Sequence, residues 1–271
     1  MARPVIALLT DFGTRDHYVG AMKGVAVGIC PDVTFIDISH DIARHDVLEG
    51  ALQLAAAYRY FPDGTIFLVV VDPGVGSARR AIAVEAGTYR FVAPDNGVLS
   101  VVLSETAPQR LVELTERRFA RPAVSRTFEG RDRFSPAAAW LGAGVEIFAL
   151  GRPVGDWTRL DVPVPIAHND GIVGQVVRVD RFGNLVTNVD RQTFERFAAG
   201  SRVSVLAGSH AVGGVVDTYA EVASGTACAL FGSSDHLEIA VNAGSAADRL
   251  QAGRGTAVLV SRFRPGREQG A

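Results

Sequence analysis

The seven-residue apolar run Thr65-Ile-Phe-Leu-Val-Val-Val71 leads directly into Asp72-Pro-Gly-Val-Gly-Ser-Ala-Arg79-Arg80. A strand with one wet face alternates apolar and polar residues. An unbroken apolar run reads as a strand covered on both faces, as strands of parallel sheets are. Covering both faces takes helices above and below, so the run points to an α/β layer. In open α/β sheets ligands bind outside the carboxyl ends of the strands. This strand ends there in a carboxylate, followed by a glycine-rich turn and an arginine.

The flanking sequence fits. Strand patterns at 5–9, 33–38, 81–85 and 89–93 alternate with helical spacing at 18–29 and 46–60, and with shorter helices at 98–103 and 137–144. This order predicts a largely parallel sheet. From Gly151 to Gly171 the prolines 153, 163 and 165 interrupt a stretch without periodicity. Beyond it, short strands at 172–179, 184–189, 202–206, 210–216, 227–231, 236–241 and 255–261 are separated by turn signals, the pattern of a small β-barrel or sandwich. The domains expected are 1–152 (α/β), 153–170 (linker) and 171–265 (β-barrel), with a tail at 266–271.

Composition excludes several classes. A formal net charge of −2 and the lack of a basic run leave no footprint for nucleic acid. Cys30 and Cys228 are isolated, so neither a zinc site nor a disulfide framework is indicated. No window reaches the roughly 18 apolar residues of a membrane span, and the first residues lack a signal-peptide pattern. The expectation is a cytoplasmic protein with no membrane partner and no metal.

Leu9-Thr-Asp-Phe-Gly13, Val71-Asp-Pro-Gly-Val-Gly76, Ala93-Pro-Asp-Asn-Gly97, Asp180-Arg-Phe-Gly-Asn184 and Leu237-Glu-Ile-Ala-Val-Asn242 follow one another in order. Together they resemble the S-adenosylmethionine hydroxide adenosyltransferases, hydrolytic relatives of the fluorinating and chlorinating adenosyl enzymes. The resemblance runs from about Val5 to Val260. It implies a Rossmann-like N-terminal α/β domain and a C-terminal β-barrel. It also implies a homotrimer with the site at the subunit interface, and no cofactor. The implied reaction converts S-adenosylmethionine, as substrate, and water to adenosine and methionine.

The residues suit that reaction. Displacing methionine from the ribose C5′ releases a neutral thioether, which needs no general acid, so the difficulty lies in holding and activating water. Asp72 can accept a hydrogen bond or proton from that water, and Arg79 can stabilise hydroxide where water is scarce. The plain alternative is that Asp72 caps the turn and Arg79 is a solvated charge. The family has a histidine within Thr-Phe-His-Gly-Arg-Asp; here the segment is Thr127-Phe128-Glu129-Gly130-Arg131-Asp132. Glu129 thus puts a second carboxylate beside Arg79, as a base on water, as an orienting group, or as the mark of a slowed enzyme.

Asp11, at the end of the first strand, suits the vicinal ribose hydroxyls; otherwise it caps the next helix. Asp16, His17 and Tyr18 are expected at the same mouth, with Phe128 and Gly130, and His45 is expected at the ribose. In the second domain the resemblance puts Asn184 and the backbone at Val241, Asn242 and Ala243 at adenine, with Phe182 and Tyr219 as stacking faces. Asp180, Ser233 and Ser234 meet the polar end of methionine. Phe182-Gly183-Asn184 also reads as an ordinary hairpin turn, and Asn242 as purely structural.

Three other readings stand beside hydrolysis. Glu129 could mark a non-catalytic or slow binder of S-adenosylmethionine or adenosine. A halide-using adenosyltransferase is opposed by the carboxylate of Asp72, which repels an anion. A phosphate nest at Gly74-Val75-Gly76 with Arg79 and Arg80 lacks a Gly-Lys-Ser/Thr element.

Overall fold

The computed structural model describes residues 3–262, and the chain divides into two compact units, Met1–Val162 and Pro163–Ala271. The division falls inside the proline-interrupted stretch. The last residues assigned to the barrel, 263–265, and the tail 266–271 lie outside the described residues.

The first unit holds strands β1 (Val5–Thr10), β2 (Thr34–Ser39), β3 (Ile66–Val70), β4 (Ala81–Ala86), β5 (Tyr89–Pro94), β6 (Pro108–Glu113) and β7 (Arg152–Pro153). Its helices are α1 (Tyr18–Ile29), α2 (Val47–Ala57), α3 (Ser100–Glu105) and α4 (Ser135–Gly142). Among the described residues the strands form one sheet, ordered β2-β1-β3-β5-β4-β6-β7. Alternate residues of β1 and β3 serve opposite cores. Ile6, Leu8, Ile66, Leu68 and Val70 pack with α1 and α4, whereas Ala7, Leu9, Phe67 and Val69 pack with α2 and α3. Burial on both faces explains why β3 tolerates no polar residue. Asp46 starts α2 by accepting from the Glu49 amide at 3.0 Å, a cap worth about 1 kcal/mol.

The sheet is mixed, not mostly parallel. The pairs β1–β2, β1–β3 and β3–β5 are parallel, while β4–β5, β4–β6 and β6–β7 are antiparallel. The reason is chain length. Ala86 pairs with Tyr89 across Gly87 and Thr88, and Gly87 takes φ +58°. A parallel connection needs roughly a dozen residues or more, so strands this close in sequence must form a hairpin. Strand β6 has no counterpart among the expected elements.

The second unit contains β8 (Ile166–Ala167), β9 (Gly171–Val179), β10 (Leu185–Asp190), α5 (Arg191–Ala198), β11 (Val203–Ala207), β12 (His210–Gly213), β13 (Ala227–Phe231), β14 (His236–Val241), α6 (Ala246–Leu250) and β15 (Ala257–Arg262). Its sheet runs β12-β11-β15-β9-β10-β14-β13, with antiparallel pairs throughout. A bridge from Val215 to Ala229 brings the two ends close. The result is a nearly closed, barrel-like sheet around Ile172, Val176, Leu185, Val205, Leu237, Ile239 and Val258. Helix α5, unforeseen in the sequence, is capped by Asp190 and inserts Phe194 and Phe197 into this core.

Candidate active site

Thr10 pairs with Val70 in the parallel register of β1 and β3. Asp11 and Asp72 therefore leave the sheet at the same carboxyl edge, from adjacent strands. After Asp72 the chain turns tightly: the Val75 amide donates to the Asp72 carbonyl, the Ser77 amide to the Gly74 carbonyl, and the Arg79 amide to Ser77 Oγ. Arg79 is thereby folded back. Its Nε donates to Asp72 Oδ1 at 3.0 Å, while its Nη2 bonds both Asp72 Oδ2 and Glu129 Oε2. The side chains of Asp72, Arg79 and Glu129 are only 4%, 10% and 11% exposed. Arg79 also lies over the Phe134 ring, 5.2 Å from its centroid. Burial opposes its charge, but the bonds and charges of Asp72 and Glu129 outweigh that penalty and raise its pKa above the ordinary arginine value. Arg79 is a fixed cation between two carboxylates, not a solvated surface charge.

Side chains of a neighbouring segment hold this turn. Asn96 Nδ2 donates to the Val71 carbonyl at 2.8 Å, and buried Asp95 pairs with Arg80. Ala93-Pro-Asp-Asn-Gly97 is thus a brace behind Asp72. Gly76 sits at φ +76°, and a Cβ there would come within 2.4 Å of the Arg126 carbonyl oxygen. Only glycine lets the two loops meet so closely.

Glu129 immediately precedes a π-helical turn, Gly130–Phe134, that runs into α4. Such turns are frequent at functional sites. Asp132, fully buried in that turn, organises the segment before it. Its carboxylate accepts from the Ser125 amide at 2.8 Å and from Arg131 Nε and Nη2 at 2.6 and 2.8 Å. Burial pushes its pKa up, yet the Arg131 and Ser125 bonds prevail and hold it below the usual aspartate value. Arg133, in the same turn, lies 3.6 Å from Glu129 Oε1. It was not among the expected residues, although its i,i+4 spacing from Glu129 is a readable signal.

At the mouth, the His45 amide donates to Asp11 Oδ2 at 2.9 Å, with His45 at φ +66°. Helix α1 is preceded by His17 without a side-chain cap, so Asp11 does not cap it. Tyr18 and Phe128 rings meet at 5.1 Å, His17 and Tyr18 at 4.7 Å, and Phe12 joins both Tyr18 and Phe128. Arg131 covers Phe128 at 4.9 Å. Gly130 is buried, and a Cβ there would crowd Met22 Sδ at 3.2 Å. Asp16 is exposed.

In the second unit Asp180, Phe182 and Asn184 share the turn between β9 and β10. Asp180 Oδ1 accepts from the amides of Phe182 and Asn184, and its Oδ2 accepts from Asn184 Nδ2 at 2.9 Å. The turn leaves Phe182 76% exposed and Asn184 buried. Glu238, buried on β14, feels the Asp180 charge, and Tyr219 is among the groups that act on it. Ser233 and Ser234 lie in the β13–β14 hairpin, and Ser234 Oγ is buried without a partner among the described residues. Val241 ends β14. Asn242 Nδ2 donates to the Val222 carbonyl at 2.8 Å, which supports the structural reading of that side chain. Ala243 holds φ +57°.

Among the described residues no group of three or more histidine, cysteine, aspartate or glutamate side chains is arranged to hold a metal ion. None of the described helices is long and apolar enough to cross a membrane.

Known proteins place this geometry in a family. The family model for the S-adenosylmethionine hydroxide adenosyltransferase N-terminal domain matches residues 6–151, and the C-terminal domain model matches 174–259. An (R)-S-adenosyl-L-methionine hydrolase of Salinispora tropica is 38% identical over 250 residues, covering 91% of this chain and 94% of the relative. One of the same name from Thermus thermophilus is 38% identical over 260 residues, covering 92% and 95%. The crystal structure of an uncharacterized conserved protein from Thermotoga maritima superposes with a TM-score of 0.90 at 35% identity, covering 95% of this chain and all of that one. With both domain models matched in order, the chain belongs to the S-adenosylmethionine hydroxide adenosyltransferase family.

Proposed function

We propose that the protein hydrolyses S-adenosylmethionine to adenosine and methionine. The observation that carries this reading is the buried Asp72–Arg79–Glu129 group at the carboxyl edge of β3. Water oxygen attacks C5′, the C5′–S bond breaks with its electron pair retained by sulfur, and methionine leaves as a neutral thioether. The proton lost by water passes to a carboxylate and then to solvent. Asp72 uses both oxygens on Arg79 but keeps lone pairs for the attacking water. Arg79 supplies fixed positive charge where hydroxide character develops, and Glu129 holds Arg79 from the opposite side.

Asp11 takes the ribose hydroxyls, with His45 at its edge. Phe128, Gly130, Asp16, His17 and Tyr18 line the approach. From the second unit, Phe182 and Tyr219 supply aromatic faces, Asn184 and the Val241–Ala243 backbone serve the base, and Asp180, Ser233 and Ser234 serve the amino-acid end. The working form is a cytoplasmic homotrimer with the site at the subunit interface and without a cofactor. That the relatives from Salinispora tropica and Thermus thermophilus are (R)-S-adenosyl-L-methionine hydrolases supports preference for the R configuration at sulfur.

The test is chromatography of products from each sulfonium epimer, with and without chloride. Equal adenosine and methionine, faster from the R epimer and indifferent to chloride, is the expected result. Bound but unconverted substrate would instead make the protein a sensor. Light scattering in the same buffer checks the trimer.

A further inference from the structure

Glu129 is gripped unevenly. Its Oε2 is bonded by Arg79, which also serves Asp72, while Oε1 faces Arg133 at 3.6 Å. A carboxylate held through one oxygen can still swing about its terminal bonds; a second cation facing the other oxygen draws that oxygen to one side by charge attraction. The charge count points the same way. Asp72 and Glu129 bring two negative charges and Arg79 one positive, so without Arg133 the group carries a net negative charge. A net negative site opposes the approach of hydroxide. Arg133 balances the set and forms the chain Asp72–Arg79–Glu129–Arg133 through alternating charges.

The local backbone makes this contact possible. Glu129 enters the π-helical turn that contains Arg133, and the Ser135 amide closes that turn on the Gly130 carbonyl. Arg133 is the outer member of the chain, with its side chain 34% exposed. It also lines a cavity of about 540 Å³ together with Glu113, Arg117 and Arg121. Shortening it therefore leaves room for water and avoids a dry internal hole.

We propose that Arg133 is a positioning residue that works through Glu129, aiming its carboxylate at Arg79 and balancing the charge of the site. The proposal rests on the hydrolytic reading for its kinetic arm only.

The test is a double-mutant cycle on kcat and KM with Arg133→Met, Glu129→Gln and the double variant, alongside crystal structures of the parent and Arg133→Met proteins. Arg133→Met is expected to lower kcat by about 10-fold, the scale of a modest misplacement of a reacting group, with KM nearly unchanged. In the Glu129→Gln background the same change should cost under about 2-fold, because the coupling is gone. Arg133→Lys should restore part of kcat. The Arg133→Met crystal structure should show Glu129 turned from Arg79. An equal loss in both backgrounds, or Glu129 unmoved in the variant, overturns the proposal. If the parent binds substrate without turnover, the functional reading falls, and the position of Glu129 in the two crystal structures alone decides for or against Arg133.

Discussion

The two units bury carboxylates by opposite means. In the first, Asp72, Glu129 and Asp132 each meet at least one guanidinium, from Arg79, Arg133, Arg131 or Arg121. In the second, Glu238 lies near Asp180 with no ion pair to either among the described residues; the charges of Arg178 and His236 and the Tyr219 hydroxyl only partly offset this. Burial and Asp180 accordingly push the Glu238 pKa above the usual glutamate value. The first arrangement keeps acceptors paired and aimed. The second stores a group that responds to pH.

The strongest way to break the contrast is Arg79→Met, which removes the shared cation from between Asp72 and Glu129. Hydrolysis should fall by about 10³-fold, and stability by about 3 kcal/mol, because two buried carboxylates then face each other. Initial rates and denaturant melts read the two losses separately. Asp132→Asn comes next. It weakens the pairing with Arg131 and the hold on the Ser125 amide, so kcat should drop by about 10-fold. In the parent, the depressed Asp132 pKa gives stability that is present above the ordinary aspartate value of about 3.9 and lost as pH falls through the lower folded value. The variant should lose less on acidification below pH 4 in calorimetry.

Glu238 has the reverse sign. Its raised folded pKa gives stability that is complete below the ordinary glutamate value of about 4.3 and lost as pH rises through the folded value. Glu238→Gln should therefore melt higher than the parent at pH 8, by about 2–4 °C, with the difference vanishing near pH 4. A variant that melts lower at both pH values would show that Glu238 is held by bonds worth more than its buried charge costs. Tyr219→Phe should have the smallest effect, a further upward displacement of the Glu238 titration, followed by carboxyl NMR.

What the sequence revealed follows from how local each determinant is. The span of α1 and the burial of β3 are written in consecutive residues, and the structure places them at Tyr18–Ile29 and Ile66–Val70. The direction of β4 was equally available in the short Gly87-Thr88 link, but it depends on connection length and not on apolar pattern. The acid–arginine group was legible because Asp72 and Arg79 share one turn. Glu129 came from a motif, and its partner Arg133 stood at a readable i,i+4 spacing, but the π-helical turn that joins them is announced by no apolar pattern. Asp95 and Asn96 stand in the Ala93–Gly97 motif, but their work as a brace on Val71 and Arg80 requires the folded sheet edge.

The close meeting of Gly76 with the Arg126 carbonyl has an evolutionary consequence. The loop that follows Asp72 and the loop that leads to Glu129 touch main chain to main chain, so the spacing of the two acids is set by backbone, not by side chains that drift under mutation. A wider gap for a bulkier nucleophile than water therefore requires insertions or deletions in both loops together. Directed libraries limited to point substitutions will retune the groups that hold the water while leaving this main-chain spacing in place.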